Sequence, residues 1–193
     1  GYTSTWNTDF ADGLCLQAIR LIFEFLPRAV ANGQDEEARE KMHNAATIAG
    51  LGFINSMCSL AHALGHSLGA VYDIPHGRAV GMLLPYTIQY NALDNGQTRY
   101  QEIAAFLGLP AATPQQGADS LVQAIRQLAQ EIEQPLSIEQ AINVPLADFE
   151  NDLGTLVEYA EDDTQIVTAV RSPDTEEIRK LFLYAYHGKD VDW

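Results

Sequence analysis

Apolar positions recur every three or four residues along most of the chain, which is the period of a helix with one buried face. The first such segment covers residues 10–31, and Asn32-Gly33 is a typical helix stop. Asp35 is the expected N-cap of a second helix that extends towards Met57. No segment alternates for long enough to predict a strand, and no glycine-rich phosphate-binding loop occurs. The pattern therefore predicts an all-α fold.

Further helical segments follow, with Pro85 expected to kink one of them and Asn95-Gly96 expected to end it. Asp174, which follows a proline, is the expected N-cap of the last helix. The sequence contains no repeat with a period of 20 to 50 residues, so a solenoid is not expected. A compact bundle of about seven to nine helices is the architecture that ordinary helix lengths predict. The expected segments after the second helix are 58–70, 81–94, 100–107, 118–133, 146–160 and 174–186.

Length and composition are typical of one globular domain, with 193 residues and 47% apolar content. The formal net charge of −15 argues against nucleic acid as a partner. No apolar run is long enough to span a bilayer and no basic leader precedes one, so we expect a soluble cytoplasmic protein that does not contact membranes. Cys15 and Cys58 have apolar neighbours, which favours buried thiols in a reducing compartment.

Three of the five histidines lie within residues 59–79. In a helix, His62 and His66 are one turn apart on the same face, and His76 follows after a break at Pro75. Neutral imidazole is a common ligand of Zn and Fe(II), so this spacing predicts a metal site. Gly65 and Gly69 flank His66 and indicate space beside this helix.

Other readings of the same segment are weaker. A zinc protease needs a glutamate where Ala63 stands, and a hydrolase would need a GxSxG elbow or a carboxylate to orient the pair of Cys58 and His62. A non-enzymatic helical module stays open, in which the histidines satisfy hydrogen bonds in the core and the acidic C-terminal part binds a partner.

The segment over residues 52–91, GFINSMCSLAHALGHSLGAVYDIPHGRAVGMLLPYTIQYN, closely resembles the signature region of the iron-dependent, or group III, alcohol dehydrogenases. The spacing H-x3-H-x9-H-G is its most specific part. Similarity extends from TDFADGLCLQAIRLI to SPDTEEIRKLFLYAY. The family joins an α/β dinucleotide-binding domain to a C-terminal, dehydroquinate synthase-like helical domain that holds the metal. The resemblance implies that residues 1–193 are the second domain alone, and that the nucleotide-binding domain is absent.

The resemblance also implies roles for single residues. Family members hold their metal with an Asp and a His three residues further on, joined by two histidines that correspond to His62 and His76. His66 matches a histidine implicated in proton relay or substrate positioning. Phe53 and Asn55, with Met57 beside them, are the expected lining of an alcohol pocket, although ordinary core packing explains them equally well.

The family's Asp-x3-His pair lies just upstream of a segment like the GYTSTW with which this chain begins. Asp9 and Asp12 precede no histidine at the right spacing. We therefore expect half a metal site, with weak or absent metal binding, poor dinucleotide binding and no dehydrogenase activity in the chain alone. The faces that would meet the nucleotide-binding domain are expected to support a homodimer.

For the longer protein, the resemblance implies hydride transfer between a primary or secondary alcohol and NAD(P), with Fe(II) or Zn as the metal. A zinc-dependent relative like glycerol dehydrogenase or dehydroquinate synthase is an alternative, although the spacing between His62 and His76 favours the iron type. The choice of alcohol, of NAD or NADP, and of Fe or Zn stays open at this point.

Overall fold

In the computed structural model, which describes residues 1–93 and 98–193, every regular element is helical. This confirms the predicted all-α fold. None of the helices in the described ranges is long and apolar enough to cross a bilayer. A short 3-10 helix covers Thr164–Thr168. In chain order, the α-helices are α1 (Asp9–Ala31), α2 (Glu36–Phe53), α3 (Leu60–Tyr72), α4 (His76–Ala92), α5 (Tyr100–Phe106), α6 (Pro114–Glu131), α7 (Ile138–Ile142), α8 (Leu146–Asp162) and α9 (Thr175–His187).

The helices divide between two compact units. The first unit contains α1, α2, α5 and α6, and the second contains α3, α4, α7, α8, the 3-10 helix and α9. Whether residues 1–193 act as one functional domain stays a prediction.

The first unit contains the packed helices α1 and α2, whose contact surface combines large and small side chains. Leu21 and Phe25 of α1 pack with Ala38 and Ala45 of α2, and all four are buried. The small residues let the two helix backbones approach each other closely. Asp35 caps α2 as predicted, since its carboxylate accepts a hydrogen bond from the backbone N–H of Ala38.

The segment after α2 differs from the prediction. The helix ends at Phe53 rather than near Met57, and α3 begins at Leu60 rather than at Cys58. Met57 and Ser59 adopt positive φ angles of 63° and 66°, which no helix accommodates. Because neither residue is a glycine, this irregular stretch was not predictable from residue type.

Two helices begin earlier than expected. The fourth starts at His76 and not at residue 81, because Pro75 supplies the fixed φ of an N-cap position, and the helix continues through Pro85. Its expected stop near Asn95-Gly96 lies outside the described residues. Similarly, α6 begins at Pro114, a favoured residue in the first turn, after the Thr113 N-cap.

The second unit has a large aromatic and aliphatic core. Phe149 of α8 and Tyr186 of α9 are buried and stack with their ring centroids 4.6 Å apart. The Tyr186 hydroxyl donates to the carbonyl oxygen of Val144 at 2.6 Å, so its polar end is satisfied at the edge of the core. The short α7 and the 3-10 helix were not predicted. Asp174 caps α9 as predicted, in a capping box with Glu177.

Candidate functional site

The three histidines of the signature segment come together at the turn between α3 and α4. His62 and His66 lie one turn apart on α3, and His76 is the first residue of α4. Asp73 ends α3 in the left-handed conformation with a φ of 52°, and Pro75 starts the next helix. This tight connection turns the chain back, so that the third imidazole reaches the first two.

The three rings form a close cluster, which we call the histidine cluster. Their centroids are 5.6 Å apart for His62 and His66, 5.3 Å for His62 and His76, and 5.1 Å for His66 and His76. Two imidazoles that bind one tetrahedral ion, each through a nitrogen at about 2.0–2.1 Å, have ring centroids about 5 Å apart. The distance between the rings of His62 and His76 therefore fits two of the ligands of one divalent ion.

The electrostatics of His62 also suit a ligand. Burial is the main reason why its pKa falls to about 4, and the neighbouring His66 and His76 lower it further. His62 is therefore neutral at physiological pH, with a lone pair suited to a metal. His62 and His66 are half-buried and His76 is exposed, so the cluster reaches from the core to the surface of its unit.

Close packing of α3 against α4 holds the cluster together. A Cβ added at Gly65 would lie 2.6 Å from Cγ2 of Val80 and 2.9 Å from its Cα. A Cβ added at Gly69 would lie 3.1 Å from the carbonyl oxygen of Ile74. The space that these glycines leave is thus filled by the following turn and helix, which corrects the expectation of open space beside His66.

Two hydrogen bonds fix α3 to α8 within the same unit. The Ser67 hydroxyl donates to the carbonyl oxygen of Leu156 at 2.6 Å. The Tyr72 hydroxyl donates to the carboxylate of Asp152 at 2.8 Å. Because Ser67 is buried and follows His66 directly, the first bond holds the cluster at a defined distance from α8.

Sequence reasoning missed a carboxylate at the site. Nδ1 of His66 and Oδ2 of Asp163 are 2.7 Å apart, and the other oxygen of this carboxylate accepts a hydrogen bond from the backbone N–H of Gln165 at 2.8 Å. Asp163 lies 97 positions after His66 and follows two other acidic residues. Nothing in that local sequence distinguishes it from a solvated surface residue.

The expected pocket residues lie in the first unit, whereas the histidines lie in the second. Phe53, the last residue of α2, is exposed, and the Asn55 amide donates to the carbonyl oxygen of Leu51. A role of Phe53 and Asn55 in substrate binding stays a prediction. Over residues 1–93 and 98–193, no group of three or more His, Cys, Asp or Glu side chains is arranged so that it could hold a metal ion. We therefore treat the histidine cluster as part of a ligand set.

Cys15 and Cys58 are both thiols and are not joined in a disulfide. Cys15 is buried and Cys58 is half-buried, and burial raises the pKa of each thiol above its ordinary value. A raised thiol pKa lowers the fraction of thiolate at neutral pH, which argues against a nucleophilic role for either residue.

Comparisons with known proteins agree with this picture. Residues 1–186 match the model of the Fe-containing alcohol dehydrogenase family, C-terminal part. The chain is 32% identical over 192 residues to an NADPH-dependent butanol dehydrogenase of Clostridium saccharobutylicum, covering 100% of this chain and 48% of that protein.

Two solved structures share the fold. An alcohol dehydrogenase from Oenococcus oeni superposes with a TM-score of 0.87 at 34% identity, over 96% of this chain and 47% of that one. A sulfoacetaldehyde reductase from Bifidobacterium kashiwanohense, solved in complex with NAD+, gives 0.82 at 27% identity, over 96% and 46%. The chain thus spans about half the length of these relatives.

Proposed function

The chain belongs to the Fe-containing alcohol dehydrogenase family, and we propose that it is the metal- and substrate-binding helical part of an NAD(P)-dependent alcohol dehydrogenase. The observation that carries this proposal is the histidine cluster, with three ring centroids separated by 5.1–5.6 Å. The small-molecule substrate is an alcohol or its aldehyde. Because the chain spans about half of its relatives, the proposed enzyme also needs a nucleotide-binding domain.

His62 and His76 are the proposed metal ligands on this chain. The low pKa of His62 keeps its imidazole neutral, as a ligand must be. His76 lies at the start of α4 and is exposed, which leaves it accessible to an entering ion. Fe(II) or Zn would supply a Lewis acid when bound, and the nicotinamide would supply a hydride acceptor.

His66 is proposed to exchange the proton that alcohol oxidation releases. Its ring lies 5.1 Å from that of His76, and 37% of its side chain is exposed, so it can reach both the cluster and water. An imidazole is suited to this task because its ordinary pKa is close to neutrality.

The chain alone is expected to be inactive and to bind metal weakly, because two imidazoles without a carboxylate ligand leave the charge of the ion uncompensated. It is proposed to act in the cytoplasm, and dimerisation through the faces that meet the nucleotide-binding domain remains part of the proposal. Measurable NAD(P)-dependent alcohol oxidation by the purified chain would contradict the expected inactivity.

The test uses the chain joined to the nucleotide-binding domain of its longer gene product, with metal content and turnover measured on the same samples. His62→Ala and His76→Ala should lower the bound metal, whereas His66→Ala should keep most of the metal and lose most of the turnover. An active His66→Ala variant would reject its proton-exchange role. Full metal content in the other two variants would reject the proposed site.

A further inference from the structure

The geometry points to Asp163 as a positioning residue that fixes which nitrogen of His66 carries the proton. This inference deepens the proposed function and takes its catalytic meaning from it. It starts from the 2.7 Å contact between Nδ1 of His66 and Oδ2 of Asp163. A carboxylate accepts hydrogen bonds and has no proton to donate, so the imidazole must supply the hydrogen. Neutral His66 therefore carries its proton on Nδ1, and Nε2 keeps the lone pair.

The second oxygen of Asp163 makes this arrangement rigid. Oδ1 accepts a hydrogen bond from the backbone N–H of Gln165, and Asp163 is the N-cap of the 3-10 helix Thr164–Thr168. Only 16% of the Asp163 side chain is exposed. With one oxygen held by the backbone, the other has a fixed position against His66. The carboxylate thus acts as a bridge between the end of α8 and the imidazole.

The consequence concerns proton exchange. An imidazole that has its proton on Nδ1 can accept another proton only at Nε2, and the reverse holds for the other tautomer. Asp163 therefore makes Nε2 the accepting nitrogen of His66. A His66 that rotated freely or changed tautomer would present the lone pair for only part of the time. The same logic explains why a carboxylate commonly orients a catalytic histidine.

An asparagine at this position is the sharpest test, because it keeps the shape and reverses the hydrogen bond. In Asp163→Asn, the backbone N–H of Gln165 still requires the amide oxygen, which leaves the NH2 group facing Nδ1 of His66. Nδ1 must then accept, and the proton moves to Nε2. The control is Asp152→Asn, which also removes a carboxylate that bonds to a side chain of α3, but the bonded residue is Tyr72 instead of a histidine.

The readout is the pair of ring-nitrogen shifts of His66 in long-range ¹H–¹⁵N spectra of the histidine-labelled chain, recorded without metal at about pH 8, where ordinary imidazoles are neutral. A His66→Gln variant assigns the signal. We expect the unprotonated nitrogen to be Nε2 in the native chain and in Asp152→Asn, and Nδ1 in Asp163→Asn.

Three results would overturn the inference: an Nε2-protonated His66 in the native chain, an unchanged tautomer in Asp163→Asn, or the same switch in Asp152→Asn. If Asp163→Asn does not fold, the native spectrum still decides, together with Asp163→Ala, in which His66 should lose its strong preference for one tautomer. Because no metal or turnover enters the readout, failure of this inference is distinguishable from failure of the proposed function.

Discussion

Arg99 in the first unit is surrounded by acidic groups, whereas His62 in the second unit is surrounded by other imidazoles. The Arg99 guanidinium lies 2.7 Å from the carboxylate of Asp12 and 3.0 Å from that of Glu102, and its centre is 4.0 Å from the ring centroid of Tyr2. We call these four residues the arginine cluster. Among the described residues of the histidine cluster, His66 bonds to a carboxylate, that of Asp163, and the neighbours of His62 are the other two imidazoles.

The two clusters shift protonation in opposite directions. In the arginine cluster, hydrogen bonds with Asp12 raise the pKa of Arg99, and hydrogen bonds from Tyr2 and Arg99 lower that of Glu102. Both changes favour the charged forms. In the histidine cluster, burial and like neighbours lower the pKa of His62 to about 4 and favour the neutral form. The arginine cluster thus favours ion pairs, whereas the histidine cluster favours a neutral His62, which is the form that the proposed metal ligand requires.

The largest effect is expected from Gly65→Ala, which forces apart the helices that carry the histidine cluster. The added methyl would meet Val80 at 2.6 Å, including contact with its backbone at 2.9 Å. We expect the free energy of unfolding to fall by about 3 kcal/mol, as overpacking of a rigid contact does.

Urea denaturation measures this change, and Gly81→Ala is the matched control. Gly81 also lies in a helix of this unit, but a Cβ there meets nothing within 4 Å. Gly81→Ala should therefore raise the free energy of unfolding by about 0.5–1 kcal/mol. Equal behaviour of the two variants would show that the approach of α3 to α4 at Gly65 is not tight.

Arg99→Met removes the positive centre of the arginine cluster and leaves the carboxylates of Asp12 and Glu102 without the cation that they share. Because these groups are partly exposed, we expect a loss of about 2 kcal/mol in the free energy of unfolding rather than the larger cost of a fully buried pair. Affinity for a divalent metal should not change.

Arg20→Met is the control for lost arginine packing, since Arg20 is exposed, bonds to the neutral side chain of Gln17 and lies over the ring of Phe106. It should change stability by less than about 0.5 kcal/mol. If Arg99→Met lowers the free energy of unfolding no more than Arg20→Met does, the arginine cluster does not stabilise the fold.

A pH-dependent effect is expected from His62. His62 has a folded-state pKa of about 4, below its ordinary value of 6.5, so the unfolded chain binds the proton more readily in this window. The contribution of His62 to stability is complete above pH 6.5 and is lost as the pH falls towards 4. Within the same unit, His66 and His76 oppose a charge on His62, whereas Asp163 favours one.

Denaturation of the metal-free chain at several pH values tests this expectation against His62→Gln, which cannot titrate. Both proteins share the acid sensitivity of their carboxylates, so only the difference between them reports on His62. The difference should narrow as the pH falls from 6.5 to 4. A constant difference would mean that His62 titrates normally in the folded chain.

The sequence was sufficient for the existence of the longer helices and for the spacing of His62 and His76, because these follow from local periodicity and from the break at Pro75. It did not predict α7, the 3-10 helix or the irregular stretch at Met57 and Ser59. Asp163 was not predictable, since its contact with His66 depends on how α8 packs against α3. The role of Gly65 was misjudged for the same reason. A glycine in a sequence indicates space, and only the packed structure shows that Val80 fills it.

The most direct test of the central claim is the visible spectrum of the purified chain during titration with Co(II), in the native form and in His62→Ala, His66→Ala and His76→Ala. The account predicts weak but measurable d–d absorption in the native chain, its loss in the His62 and His76 variants with affinity lower by about 100-fold, and its retention in the His66 variant. Equal spectra in all four proteins, or loss confined to His66→Ala, would contradict it.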